Sequence, residues 1–362
     1  MRLKARGAMK KIQLKRKKKN QINQDTAPTR ITNETVAEHR EQILAGGRRF
    51  KYPHQYARHK LVFNAILISF VSLLVLIAFG WWQLYVTQNS SNFFYRVTRI
   101  IPVPVASVDG SYVRFSDYLM MLSGSRHYLE QSERVDLNSP DGQRQLDYMK
   151  RKALDSAVAD AYAEKVATEK GIQVSDDEVN KVIQSSLNTV TGKISQEVYN
   201  DSTYSTLGYT PDEYKHIIKQ SLIRQKVAYA LDEKALAVKN TAEKMIATKK
   251  SIKLSELATA LQAKAYKVQV GNSGLVPKTN HDGGLTQAAL ALKPGQLSSF
   301  IRSTKGDGYY VVQLVKATDT QLSYNFLRIP LTQFDEQLAT LKKNHKVNEF
   351  ITVKQVTSTV NN

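Results

Sequence analysis

Val105 to Leu122 reads VASVDGSYVRFSDYLMML. Val105, Ser107 and Val108 run into Asp109-Gly110, a pair that tolerates positive φ at both positions and so closes a two-residue hairpin. Tyr112-Val113 resumes the extended run, and Ser116 is placed to N-cap a helix with Asp117 in its first turn. A small hairpin therefore feeds a helix, and the pattern beyond it is helical. Gln143 to Lys170 carries Leu146, Met149, Ala153, Leu154, Ala157, Val158 and Ala161 at three- and four-residue steps, one apolar stripe, with Gly171 as a stop signal. In GIQVSDDEVNKVI, Ser175 and Glu178 have capping-box spacing ahead of Val179, Val182 and Ile183. Thr210-Pro211-Asp212-Glu213 opens a further helix in the same way, continuing through Tyr214, Ile217, Ile218, Leu222, Ile223 and Val227.

From Ile252 the punctuation changes. LSELATAL reads as a helix, AYKVQV as a strand, GNSGLVPKTNHDGG as a loop, TQAALAL as a short helix, and GYYVVQLVKA (Gly308 to Ala317) as a strand rich in aromatic and β-branched residues. LSYNFLRIPL is another strand and TQFDEQLATLKKNHKVNEFI starts as an amphipathic helix, which together predict a small α+β unit.

On the N-terminal side, Leu61 to Trp82 reads LVFNAILISFVSLLVLIAFGWW, with no charged residue between Lys60 and Arg96. These 22 residues, at the 1.5 Å rise of a helix, suffice for the roughly 30 Å hydrocarbon core of a bilayer. Trp81, Trp82 and Tyr85 cluster at one end, where amphipathic rings favour the headgroup region. A cleaved signal peptide would have a shorter apolar run and a small-residue cleavage site, which VTQNSSN lacks. Of the 52 Lys+Arg and 32 Asp+Glu that give the chain its net charge of +20, residues 1–60 hold 17 and four, so the basicity belongs mainly to a tail. Arg48, Arg49, Lys51, Arg58 and Lys60 precede the span, and the positive-inside bias puts the N-terminus in the cytoplasm and residues from about 88 onward outside. KKIQLKRKKK (Lys10 to Lys19) buries no apolar surface; anionic lipid or ribosomal RNA is the expected partner of such a run, beside the simpler role of a topology signal, and no folded module for specific nucleic-acid binding accompanies it.

Three of these segments, VASVDGSYVRFSDYL, GIQVSDDEVNKVI and LGYTPDEYKHIIKQSLIRQKV, together resemble the N-terminal chaperone domain of the SurA, PrsA and PpiD group of extracytoplasmic foldases. HDGGLTQAALALKPGQLSSFIRSTKGDGYYVVQLV is similar to the C-terminal half of a parvulin-type prolyl isomerase domain. The resemblance implies a membrane-anchored α+β protein: a basic, largely disordered cytoplasmic tail (1–60), a transmembrane helix (61–86), a juxtamembrane linker (87–104), a mostly helical SurA-N-like domain (105–250), a small parvulin-like α+β domain (251–331), and a C-terminal helix and tail (332–362). It further implies a chaperone of newly translocated unfolded polypeptides, held at the cell membrane with its C-terminal domains outside. The sequence departs from the parvulin pattern where a histidine is called for in the last strand, here Tyr310, and no His-Ile-Leu strand precedes LSELATAL. Tyr324 to Leu331 is a candidate for that strand, added at the sheet edge. The expected reading is therefore an inactive parvulin-like domain; the alternatives are a working prolyl isomerase and a structural envelope protein.

Isomerisation requires an apolar pocket that favours a twisted amide, because the peptide bond opposes rotation with a barrier of about 18–20 kcal/mol. Tyr310, Phe300 and Leu290 are the candidates for that pocket, beside the reading that they are core. Client binding needs only adaptable apolar surface, and Tyr118, Met120, Met121 and Tyr214 are its candidates. The absence of cysteine rules out disulfides, Cys-ligated metals and a thiol nucleophile, and neither histidine spacing nor any nucleotide or hydrolase motif points to a metal or a cofactor.

Overall fold

The computed structural model describes residues 32–51, 53–189, 192–249 and 252–354, in two compact units, Met1–Gly80 and Trp81–Asn362. The basic run Lys10 to Lys19 lies outside the described residues. In the first unit, α1 (Asn33–Lys51) makes a helix of part of the expected tail, and α2 (Pro53–Trp81) carries the apolar stretch. Lys60–Val86, 27 residues, is the one described helix long and apolar enough to cross a membrane. From Leu61 to Phe79 its large apolar side chains are all exposed.

The second unit is mostly helical. A π-helical turn, Trp82–Val86, leads to α3 (Asn92–Ile100), so the expected linker is largely helix. β1 (Pro104–Val108) and β2 (Ser111–Arg114) form the predicted hairpin, with Asp109 at φ 45° and Gly110 at φ 85°. α4 (Phe115–His127) then starts one residue before Ser116, which lies buried in its first turn. The residue just before β1 supplies an acceptor there instead: the Phe115 amide donates to the Val103 carbonyl at 2.8 Å.

α5 (Pro140–Lys170) is capped by Ser139, whose side chain accepts from the Gly142 amide, and ends at Gly171 with φ 65°. Its small residues Ala153, Ala157 and Ala163 are buried, and the helix packs on α4. α6 (Asp176–Ser186) has the expected Ser175–Glu178 capping box. The short pair β3 (Asn188–Thr189) and β4 (Gly192–Lys193) and helix α7 (Gln196–Leu207) lead to α8 (Pro211–Leu231), which has the Thr210–Glu213 capping box and also packs on α5. α9 (Glu233–Thr248) and α10 (Leu254–Gln262) follow.

The remaining sheet has β5 (Gln269–Asn272), β6 (Val276–Pro277), then after α11 (Leu285–Leu290) β7 (Ile301–Arg302), β8 (Gly308–Ala317) and β9 (Gln321–Pro330). β5 starts later than the AYKVQV pattern predicts, because Ala265 turns the chain at φ 60°. The order is β5-β9-β8-β7, with β6 also on β9. Tyr324 to Leu331 is thus no edge strand. With only three residues between β8 and β9 the chain must form a hairpin, and both strands are apolar on both faces and so are driven to the interior. Tyr309, Val311, Leu327 and Ile329 face one core with α9 and α10; Tyr310, Val312, Leu314, Leu322 and Tyr324 face another with α11.

The segment after Leu331 turns back. α12 (Gln333–Lys343) buries Phe334 and Leu338 in the core of α4 and α5, and β10 (Val347–Glu349) pairs antiparallel with β1, Ala106 opposite Glu349. Arg151 of α5, almost fully buried, reaches both Asp155 and Glu349 in paired hydrogen bonds of 2.7–3.0 Å. Asp232 joins the parts at the other end: its Oδ1 accepts from Ala235 N at 2.8 Å, capping α9, and its Oδ2 accepts from Thr332 N at 2.6 Å and Gln333 N at 3.2 Å. Asp232 is 2% exposed, and truncation strands three amides with about 1–3 kcal/mol at stake for each buried group left unpaired. Asp232→Ala is expected to lower the unfolding free energy by roughly 2 kcal/mol or more, and Asp232→Asn by less, as checked by denaturant unfolding.

Candidate functional site

α4, α5 and α8 do not close on one another along their full length. They leave a cleft of about 730 Å³, completed by residues 305–307, Arg328 and the start of α12. One wall is soft and apolar: Met120 and Met121 from α4, Met149 from α5, Ile217 from α8 and Phe334 from α12. Methionine has an unbranched, polarisable side chain that repacks around irregular shapes. At the edge of this wall Gly124 and Tyr209 meet so closely that a Cβ at position 124 would overlap the tyrosine ring. Burial pushes the Tyr209 hydroxyl up to about 12, which keeps it a neutral donor.

The other wall is polar. Asp160, 5% exposed, pairs with Arg224, whose Nε lies 2.9 Å from Oδ1. Burial raises the Asp160 carboxyl despite the guanidinium. Asp307 Oδ2 accepts from the Tyr310 hydroxyl at 2.7 Å, while the Asp307 carbonyl is held by two nitrogens of Arg328 at 2.8 and 3.1 Å. Gln220 donates to Glu164 at 2.6 Å. Two acceptors in this wall, Gln220 Oε1 and Asp307 Oδ1, are buried with no protein partner. A buried acceptor left unpaired costs free energy, so this part of the wall is locally destabilising.

The sequence candidates are distributed as follows. Met120 and Met121 line the cleft together. Tyr118, on the same helix, is 2% exposed and packs edge-on against Phe115 at 5.8 Å in the core, where it offers no surface. Tyr214 lies elsewhere, beside a smaller hollow of α6 and α7, hydrogen bonded to Tyr199 at 2.9 Å. Tyr310, Phe300 and Leu290 do not converge: Tyr310 is buried on the α11 face of the sheet, Phe300 packs against the core on the opposite face, and Leu290 is exposed. Of the interface candidates, Trp81 and Trp82 are exposed, whereas the Tyr85 hydroxyl donates to the Pro104 carbonyl at 2.6 Å and its ring packs on Phe115. Asp282, next to the loop histidine, is a structural acceptor for the Thr286 amide, the Thr286 hydroxyl, Asn280 and Tyr324. Tyr209, one of the tyrosines around the third helix that the sequence offers for a groove, lines the cleft; Met149, Gln220 and the Asp160–Arg224 pair are not marked as site residues by the sequence, since Met149 belongs to an apolar stripe that reads as core and Asp160 is the acid that interrupts that helix's buried face. No metal-holding cluster of His, Asp or Glu occurs among the described residues.

Three of the cleft's walls, α4, α5 and most of α8, fall within one family match. Residues 54–228 match the SurA-like N-terminal domain family. That match points to a chaperone-type role and includes the methionines, Asp160, Gln220 and Arg224, while residues 305–335 that complete the cleft lie beyond it. No curated protein matches the chain.

Beside the cleft, the His216 ring sits 3.5 Å from Asp117. Its pKa is raised above the ordinary 6.5 by the hydrogen bond to Asp117, with burial opposing and Glu164 and Arg114 as smaller influences. A raised folded-state value means that the pair stabilises the fold fully below about 6.5 and loses that contribution as pH rises through the higher value. The pH profile of thermal stability is expected to fall over that window in the native protein and to flatten there in His216→Gln.

Proposed function

We propose that the protein is a membrane-anchored extracytoplasmic chaperone that binds unfolded, newly translocated polypeptides in the methionine-lined cleft. The observation that carries this is the cleft itself: an adaptable apolar wall facing a polar one, on the helices that match the SurA-like domain. An extended segment supplies apolar side chains for the methionines and backbone N–H and C=O groups for the polar wall. Such binding requires no cofactor and no covalent step.

Anchoring is supported by Lys60–Val86, whose large apolar side chains from Leu61 to Ile77 are exposed, and by the basic residues before it. These support a cytoplasmic N-terminus and folded parts outside. For the Lys10 to Lys19 run, anionic lipid or the ribosome is the partner its charge favours. The segment 251–331 keeps the parvulin-like motifs of the sequence, yet Tyr310 is tied to Asp307 and separated by the sheet from Phe300, which favours a binding or scaffolding role over catalysis.

Each methionine that buries its side chain against a client contributes about 1.5–3 kcal/mol, so replacing two should weaken binding by at least about tenfold. Full-length protein in detergent is expected to suppress aggregation of a denatured client, and Met121→Asp with Met149→Asp to abolish this while leaving the circular dichroism spectrum unchanged. Equal suppression by the variant, or none by the native chain, contradicts the proposal. Turnover of an X-Pro peptide that is lost in Tyr310→Phe would move the chemistry to the sheet.

A further inference from the structure

α3 carries a second apolar surface, distinct from the cleft. Its inner face is used: Phe94 and Thr98 are buried, and the Tyr95 hydroxyl donates to Glu213 at 2.7 Å. Its outer face is not. Phe93 is 66% exposed and Ile100 82%, seven residues apart and therefore on one stripe, and Ile101, 58% exposed, continues it. Arg96 and Arg99 flank that stripe, and both are exposed.

Three observations say what covers this face. The apolar segment ends at Val86 and α3 begins at Asn92, with only five residues between them, so the helix starts no more than about 21 Å along the chain from the end of that segment. The turn into α3 is packed: Leu84 and Phe94 of α3 belong to the same hydrophobic cluster, and Asn89 N donates to the Gln83 carbonyl at 2.9 Å. Finally, the 48 residues from Leu61 to Val108 contain no acidic side chain. The charges there are Arg96 and Arg99, the sign that anionic headgroups attract.

We propose that α3 lies in the headgroup layer of the outer leaflet, with Phe93, Ile100 and Ile101 inserted among the lipid chains and Arg96 and Arg99 at the phosphates. An amphipathic helix with aromatic and aliphatic residues on one side and arginines beside them suits that layer. Tethering five residues from the span makes the contact intramolecular in effect, so even a short helix engages. The domain is thereby held at a fixed orientation on the bilayer. This rests on the reading of Lys60–Val86 as a membrane span.

The chain has no cysteine, so single probes are clean. Leu73→Cys, Phe93→Cys, Ile100→Cys and Val198→Cys in the full-length protein are labelled with an environment-sensitive fluorophore and reconstituted into phosphatidylcholine vesicles containing phosphatidylglycerol, with or without brominated acyl chains. Quenching by brominated lipid is expected at Leu73, Phe93 and Ile100, and not at Val198, an exposed residue of α7. Quenching at Leu73 without quenching at Phe93 and Ile100 overturns the proposal and leaves the anchor intact, including the case where those two probes are shielded by protein. No quenching at Leu73 overturns the anchor and the proposal with it.

Discussion

The sheet that opens the second unit is closed by the end of the chain. β1 pairs with β2 on one side and with β10 on the other, and Arg151 fixes the returning strand by gripping Glu349 while also holding Asp155 of its own helix. Lys342 and Lys354 add ion pairs to Asp155 and Asp147 of the same helix. A guanidinium buried to this degree is tolerated only with its donors satisfied, and removing either carboxylate would strand two of its hydrogen bonds. Because Phe334, Leu338, Ile351 and Val353 share a core with Val105, Phe115 and Leu154, the region from α9 to β9 is an excursion from the helical core, and the chain comes back from it. Asp232 and Tyr229 mark where it leaves. Asp232 caps the outgoing helix and receives the Thr332 and Gln333 amides at the start of α12; the Tyr229 hydroxyl donates to the carbonyls of Ser303 and Gly308 at 3.1 and 2.5 Å.

That return shapes the cleft. Were residues 332–354 a free tail, α4, α5 and α8 would present an open groove; instead Phe334 and Asp335 close one end and residues 305–307 with Arg328 another. The resulting space combines methionines with a polar wall in which Asp160–Arg224 and Asp307–Arg328 neutralise one another in large part. An adaptable apolar wall of this kind discriminates little among the side chains of an unfolded chain.

Local signals in the sequence were read where the chemistry is local. The Asp109-Gly110 turn, the Ser175 and Thr210 capping boxes, the Gly171 stop and the extent of β8 follow from a few adjacent residues, and the structure has each of them. Long-range pairing was not legible. Nothing near Val347 announces that it will meet Val108, and Leu331 carries no sign that the chain turns back to its first core. Ser116 misled because an acceptor outside its own window, the Val103 carbonyl, serves the helix start. The cleft was half visible: Met120 and Met121 stood out as a pair, but Tyr118 beside them points to the core, since a helix turns by about 100° per residue. Met149 was indistinguishable from its buried neighbours on α5, because whether an apolar stripe is covered depends on what packs against it.

The central claim is that an unfolded chain occupies the cleft, and site-specific crosslinking tests it most directly. Met121→Cys, Met149→Cys and, as an exposed control, Val198→Cys would each be fitted with a photoactivatable maleimide on the full-length protein and irradiated with a denatured, cysteine-free client. The account predicts adducts from positions 121 and 149, suppressed by excess unlabelled client, and little from 198. Adducts of equal yield at all three positions, or none from the cleft, would contradict it.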